Sequence, residues 1–163
     1  MVVIVMGVSG CGKTTVGQKL AGRLGWEFRD GDDFHPPSNV EKMRSGKPLD
    51  DDDRRPWLGA LAAYMQATQA AGRNAVIACS ALREWHRALL LKDEPWVYFV
   101  HLQGSKELIA SRLKQRVGHF MPATLLDSQF ATLETPTGVL QVDIARSPDQ
   151  LVEDILGTLR LAP

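Results

Sequence analysis

The segment Gly7-Val8-Ser9-Gly10-Cys11-Gly12-Lys13-Thr14 constrains this chain more than any other. It is a complete G-x-x-x-x-G-K-[ST] phosphate-binding pattern, and its surroundings match it. Val2 to Met6 is an unbroken apolar run, as expected of a strand buried on both faces. Thr14 to Leu24 carries Val16, Leu20, Ala21 and Leu24 at helical spacing. Strand, glycine loop and helix predict a turn whose backbone N–H groups, with the positive end of the helix, cradle an anion. Gly7, Val8, Ser9, Gly10, Cys11 and Gly12 then form the loop of a nucleotide site that runs on through Thr15. Lys13 is placed to reach the β- and γ-phosphates, and Thr14 to offer a hydroxyl to Mg²⁺. A glycine turn with no ligand would have no need of Lys and Thr at those two positions.

Strand-like and helix-like segments alternate through the rest of the chain. Strands are expected at 26–30, 74–79, 96–102 and 139–144, and helices at 54–71, 84–91, 105–115 and 148–161. The alternation predicts the α/β class: a five-stranded parallel sheet flanked by helices, with ligands at the carboxyl ends of the strands. At 163 residues the chain reads as a single domain, 1–163. A chain of that size buries roughly 70% of its unfolded surface. Two connections, 31–53 and 116–138, are long, and long connections in compact domains are more often functional than idle.

Lys plus Arg and Asp plus Glu are both 19, so the net charge is zero, which argues against a nucleic-acid or acidic-membrane partner. There is no apolar stretch of the ~20 residues a membrane span needs. The apolar N-terminus leads directly into the glycine loop and reads as a core strand, not a leader. Two cysteines, Cys11 and Cys79, make no disulfide framework and fit a reducing, cytoplasmic setting. Cys11 faces a helix N-terminus, a setting that activates a thiol. A residue in that part of a glycine loop more often acts only through its backbone N–H.

Asp30-Gly31-Asp32 follows the second expected strand. One carboxylate there can hold Mg²⁺ through water while the other addresses a substrate hydroxyl, the division of labour phosphoryl transfer requires. An Asp turn capping the next segment is the plainer alternative. Asp50 to Asp53 with Pro56 read largely as a helix N-terminus. Lys42, Arg44 and Lys47 form a basic group in the first long connection. Ser80 and Arg83 follow the third strand, and the Arg83 fork suits a carboxylate. Arg112 and Arg116 share a helix face ahead of Gly118-His119-Phe120. That arrangement suits a hinge carrying an arginine toward a transferring phosphate, whereas Lys114 beside it would equally suit a solvated basic face.

Further segments make a resemblance plain. They are Asp30 to Pro37, Asn39, Lys42-Met43, Gly46 to Leu49, Asp51 to Leu58, Cys79 to Leu82, Gly118 to Met121, and Ser128-Gln129-Phe130. With the loop, they span nearly the whole length, and the chain resembles the gluconate kinases, P-loop kinases related to shikimate and nucleoside monophosphate kinases. The loop alone indicates only a nucleotide. The D-G-D-x-x-H-P, D-D-R-x-P-W-L, C-S-A-L and G-H-F blocks carry the specificity. Cys11, where Ser is common in the family, and Trp85-His86-Arg87, where Tyr-Arg is common, are small departures.

The resemblance implies a P-loop kinase fold with a substrate-binding insertion at about 31–60 and a lid at about 114–130. It implies transfer of the ATP γ-phosphoryl group to the 6-hydroxyl of D-gluconate, with Mg²⁺, in a homodimer. By the same carry-over Lys13 and Thr14 hold phosphate and metal, Asp30 is the metal's water-mediated partner, and Asp32 orients or deprotonates the hydroxyl. Arg112 lies near adenine and Arg116 approaches the phosphates. His35, Arg54, Trp57, Ser80 and Arg83 are substrate contacts, with Arg54 or Arg83 as the carboxylate clamp. Two other readings stand beside it: a kinase for shikimate or a nucleotide, and a nucleotide-binding switch without catalysis. The D-G-D-x-x-H-P block speaks against the first. Lys13, paired carboxylates and Arg116 together speak against the second.

Overall fold

The computed structural model describes residues 1–92, 94–115 and 123–161. Val2–Met6 forms β1, and all five of its side chains are fully buried. The glycine loop leads into α1 (Lys13–Leu24), and β2 (Glu27–Asp30) follows. A 3-10 turn (Gly31–Phe34), α2 (Pro37–Arg44) and α3 (Asp51–Ala70) come before β3 (Ala75–Ala78). Next are α4 (Glu84–Leu91), β4 (Val97–Gln103) and α5 (Lys106–Gln115). The described chain closes with α6 (Ala123–Thr132), β5 (Leu140–Asp143) and α7 (Pro148–Leu159).

The five strands make one parallel sheet in the order β2-β3-β1-β4-β5. β1 is central, with Val2 opposite Ala75 on one side and Val97 on the other. Alternate side chains of a strand point to opposite faces. Val3 and Val5 therefore join the core formed with Val16 and Leu20 of α1 and Leu151 and Ile155 of α7. Val2, Ile4 and Met6 join the core formed with Trp57, Leu61 and Met65 of α3 and Leu90 of α4. Helices on both faces leave the ends of the sheet as the open surface, and the loop after β1 lies at the carboxyl end.

The strands agree with the sequence reading to within a residue at each end. The helices differ more. α3 begins at Asp51, three residues before the expected start at Arg54. A capping box decides this: the Asp53 N–H donates to Asp50 Oδ1 and the Asp50 N–H to Asp53 Oδ2, both at 2.9 Å. Pro56, expected near the start, lies inside the helix. α2 and α6 fall in stretches read as connections. In α2, Pro37 at the first helical position is a start signal.

His86 on α4 is buried, at 1% exposure. Its Nδ1 accepts the Arg83 N–H at 3.4 Å, and its Nε2 has no protein partner among the described residues. Burial first, then the nearby Arg54 and Arg83 charges, push its pKa down from 6.5 to about 4. His35 and His101 are shifted the same way, mainly by burial. Between pH 6.5 and 4 the unfolded chain therefore binds more protons than the folded one, so stability falls as pH drops. Each such group costs up to about 1.4 kcal/mol per pH unit. Urea unfolding at pH 7 and pH 5 should show a loss on the order of 2 kcal/mol from His86. His86→Phe, with no titrating ring, should lose correspondingly less over the same interval, and an equal loss in both proteins would contradict this.

Candidate active site

A cleft of about 920 Å³ opens at the carboxyl ends of β1, β2 and β3. Its phosphate end comes from the glycine loop and α1. Gly12, the residue before α1, sits at φ +106°, a backbone that favours glycine and turns the loop into the helix. Ser9, Gly10, Gly12, Lys13 and Thr14 line the cleft. Two of its groups are engaged within the protein. Lys13 Nζ donates to the Val8 carbonyl at 3.1 Å, and the Ser9 N–H donates to Gln129 Oε1 of α6 at 3.1 Å.

Asp30 ends β2 beside this loop. Its Oδ2 accepts from the Thr14 hydroxyl at 3.2 Å and its Oδ1 from the Asp32 N–H at 3.1 Å. Hydroxyl and carboxylate together fit Mg²⁺, which takes oxygen ligands and keeps several waters and phosphate oxygens. Among the described residues no group of three or more His, Cys, Asp or Glu could close a protein-only cage, so phosphate must complete the set. Gly31 follows because the chain passes against β3: a Cβ there would lie 2.7 Å from the Ala78 carbonyl oxygen.

Asp32, in the 3-10 turn, faces the cleft with its side chain 84% exposed. Walls on either side partly desolvate it, and this, followed by the charge of Asp30, raises its pKa. Because water still reaches its oxygens, the carboxylate is only tilted toward protonation. His35 Nε2 lies 3.9 Å from Asp32 Oδ1. The imidazole stacks on Trp57, with centroids 4.2 Å apart and planes 17° from parallel, and the Trp57 indole N–H donates to the Gly31 carbonyl at 2.7 Å. Burial is the main cause that lowers the His35 pKa; the Asp32 charge opposes it and the Arg54 charge adds to it, and the net shift favours the neutral ring. Arg54 lines the same cleft and is held by the Leu49 carbonyl at 3.2 Å.

The structure thus gathers Lys13, Thr14, Asp30, Asp32, His35, Arg54 and Ser80 around one cleft. The other expected site residues have more varied surroundings. Trp57, expected to touch substrate, also lines the cleft, but at 1% exposure it serves chiefly as the platform under His35. Arg83, one of two candidate clamps, is taken by Asp51, whose oxygens lie 3.0 and 3.1 Å from one guanidinium nitrogen. It is absent from the lining, so of the two arginines Arg54 is the one in position, with Lys13 and Lys47 also in the lining. Arg112, expected near adenine, donates to the Ile144 carbonyl at 2.5 Å just past β5. Gly7, Val8, Cys11 and Thr15 do not line the cleft. Cys11 is 2% exposed and burial raises its thiol pKa, which opposes activation by the helix N-terminus. Arg116 and Gly118-His119-Phe120 lie outside the described residues. Gln129, quoted above only as part of the resemblance, lines the cleft, and Asn39, quoted likewise, is buried against His35. Neither carries a charge that would have singled it out in the sequence.

A family model described as an AAA domain matches residues 2–136. Among curated proteins, a gluconokinase of Gluconobacter oxydans is 49% identical, over 94% of this chain and 88% of its own. Among solved structures, a sugar kinase from a Janibacter species superposes with a TM-score of 0.90 at 46% identity, covering 99% of this chain and 95% of that one. A gluconokinase from Sinorhizobium meliloti does so with a TM-score of 0.87 at 43% identity, covering 98% and 92%.

The Ser9–Gln129 bond uses a backbone N–H that a bound phosphate would need. A nucleotide has to displace the amide, and a hydrogen bond of this kind contributes about 0.5–1.5 kcal/mol. Gln129→Ala should therefore tighten ATP binding roughly two- to tenfold by calorimetry. Weaker binding would mean that the Gln129 side chain itself touches the nucleotide.

Proposed function

The chain belongs to the gluconokinase family and phosphorylates D-gluconate at the expense of ATP, giving 6-phospho-D-gluconate; we propose that Lys13, Asp32 and Arg116 act on the transferring group. The observation that supports this reading is the shared cleft. One end offers a phosphate loop, and the other offers a carboxylate, a neutral imidazole and an arginine. A nucleotide switch would need only the first end.

In this reading ATP phosphates enter the glycine loop, and Lys13 leaves the Val8 carbonyl to meet the β- and γ-oxygens. Mg²⁺, held through Thr14 and Asp30, would neutralise charge on those phosphates. Asp32 accepts a hydrogen bond from the 6-hydroxyl and aligns the oxygen with the γ-phosphorus. A loose transition state asks little more of a base, so alignment carries most of its effect. Arg54 receives the sugar-acid carboxylate, with His35 and Ser80 beside it. Arg116, brought by the 114–130 lid, meets the charge that develops on the phosphoryl oxygens, and Arg112, anchored on the Ile144 carbonyl, lies toward the adenine. A homodimer and a cytoplasmic location belong to the same proposal and rest on the family resemblance. No helix among the described residues is long and apolar enough to cross a membrane.

ADP release from Mg-ATP tests the reading across a panel of D-gluconate, other aldonates, shikimate, AMP and CMP. Stimulation by gluconate is expected, and stimulation by another acceptor alone would move the substrate. Lys13→Ala should lower the rate by ~10²-fold or more, because it removes a cation from developing negative charge. Asp32→Asn should lower kcat at least tenfold with KM for ATP nearly unchanged, since the residue addresses the acceptor. If only ATP affinity changed, Asp32 would belong to the nucleotide end instead.

A further inference from the structure

Asn39, on α2, is a polar residue at 2% exposure. Its amide nitrogen donates to the Asp53 backbone carbonyl at 2.8 Å and lies 3.3 Å from His35 Nδ1. The carbonyl decides which way the amide is turned, because the opposite orientation would set two oxygens against each other. The nitrogen therefore faces inward, and its second hydrogen points at His35 Nδ1. A ring nitrogen that receives an N–H must be the bare, accepting one. In a neutral imidazole the proton then sits on Nε2.

That proton faces the cleft. Nε2 is 3.9 Å from Asp32 Oδ1, too far for a hydrogen bond, and it has no acceptor among the described residues. The ring has little freedom to find one, because it is stacked on Trp57, whose own N–H is held by Gly31. The groups facing it are Asp32, Arg54, Trp57 and Asn39. A fixed, unused donor beside the acceptor carboxylate is a place for a ligand oxygen.

We propose that Asn39 is a positioning residue that holds His35 as the Nε2–H tautomer, so that His35 donates a hydrogen bond to a hydroxyl oxygen of the sugar acid beside Asp32. This rests on the gluconate kinase reading and deepens it. His35 then accepts no proton from the substrate, and Asp32 is the one acceptor facing the transferred hydroxyl. A polyol must present its hydroxyl oxygen to His35 and its hydroxyl hydrogen to Asp32, which fixes the rotation of the reacting group. An acceptor lacking that oxygen would leave the donor unpaired in a partly desolvated pocket.

The test is a long-range ¹H–¹⁵N correlation spectrum of the full chain at neutral pH, with His35 assigned by His35→Gln. The expected result is a neutral ring with its proton on Nε2 and a bare Nδ1. A proton on Nδ1, or on both nitrogens, overturns the proposal without any variant having to fold. D-gluconate added with ADP should move the Nε2 signal. If it does not, while gluconate still stimulates ADP release from ATP, the donor role falls and the kinase reading stands. If gluconate does neither, both fall. Asn39→Asp keeps the shape but sets an acceptor opposite Nδ1. It should shift the proton to Nδ1 and raise KM for gluconate roughly tenfold, the worth of one hydrogen bond, with KM for ATP within about twofold. Equal losses for both substrates with the tautomer unchanged would reduce Asn39 to a structural residue.

Discussion

β1 is hydrogen-bonded along both edges, to β3 and to β4, and none of its five side chains reaches water. A strand so placed has no freedom to slip. A shift of one residue would exchange the Val3 and Val5 face with the Val2, Ile4 and Met6 face, and both faces are packed by different helices. The glycine loop therefore leaves the sheet at a fixed height and direction, and α1 follows from it. The parallel partner β3, continued by β2, ends at the same level, so Asp30, Asp32 and Ser80 arrive beside the loop. The cleft is a consequence of that register more than of any single contact within it.

The acceptor wall has a different origin. It is carried by α2 and α3 from the long connection after β2; α3 is held to the sheet by its apolar face, and a few directional bonds set the side chains above it. Trp57 reaches from α3 to the Gly31 carbonyl, His35 lies on the indole, and Asn39 ties His35 to the Asp53 carbonyl at the start of α3. Lys42 bridges Asp50 and Asp53, the two members of the capping box, which joins the end of α2 to the start of α3. The acidic run is thus mainly structural, as its place at a helix start suggested. Arg83 is drawn into the same arrangement through Asp51, while Arg54 lines the cleft.

The phosphate end was legible because its chemistry is local. Lys13, Thr14 and the glycines act through spacing along the chain, and the apolar periods on either side locate the strand and the helix. Asp30 and Asp32 were legible because a strand end is a readable position. Trp57, Arg83 and Arg54 were not separable in sequence, since all three sit in polar or acidic surroundings near helix starts. Their roles depend on which face of α3 or α4 meets the sheet. Asn39 and Gln129 gave no charge or periodic signal at all. One matters through a single amide aimed at His35 Nδ1, and the other through a carbonyl oxygen placed on the Ser9 N–H.

The sequence by itself therefore determined the class of sheet, the phosphate loop, the pairing of two carboxylates with it, and, by its specific blocks, the family. These depend on residue type and on spacings of a few residues, where chain geometry leaves little choice. Tertiary structure decided which arginine faces the cleft, why a tryptophan lies beneath it, and which hydrogen an imidazole presents. Those outcomes are set by partners up to tens of residues away, such as the Gly31 carbonyl for Trp57 and Asp51 for Arg83. Hydrogen bonds and ion pairs of that kind depend on distances below about 3.5 Å, which only the packing of α2, α3 and α6 against the sheet brings about.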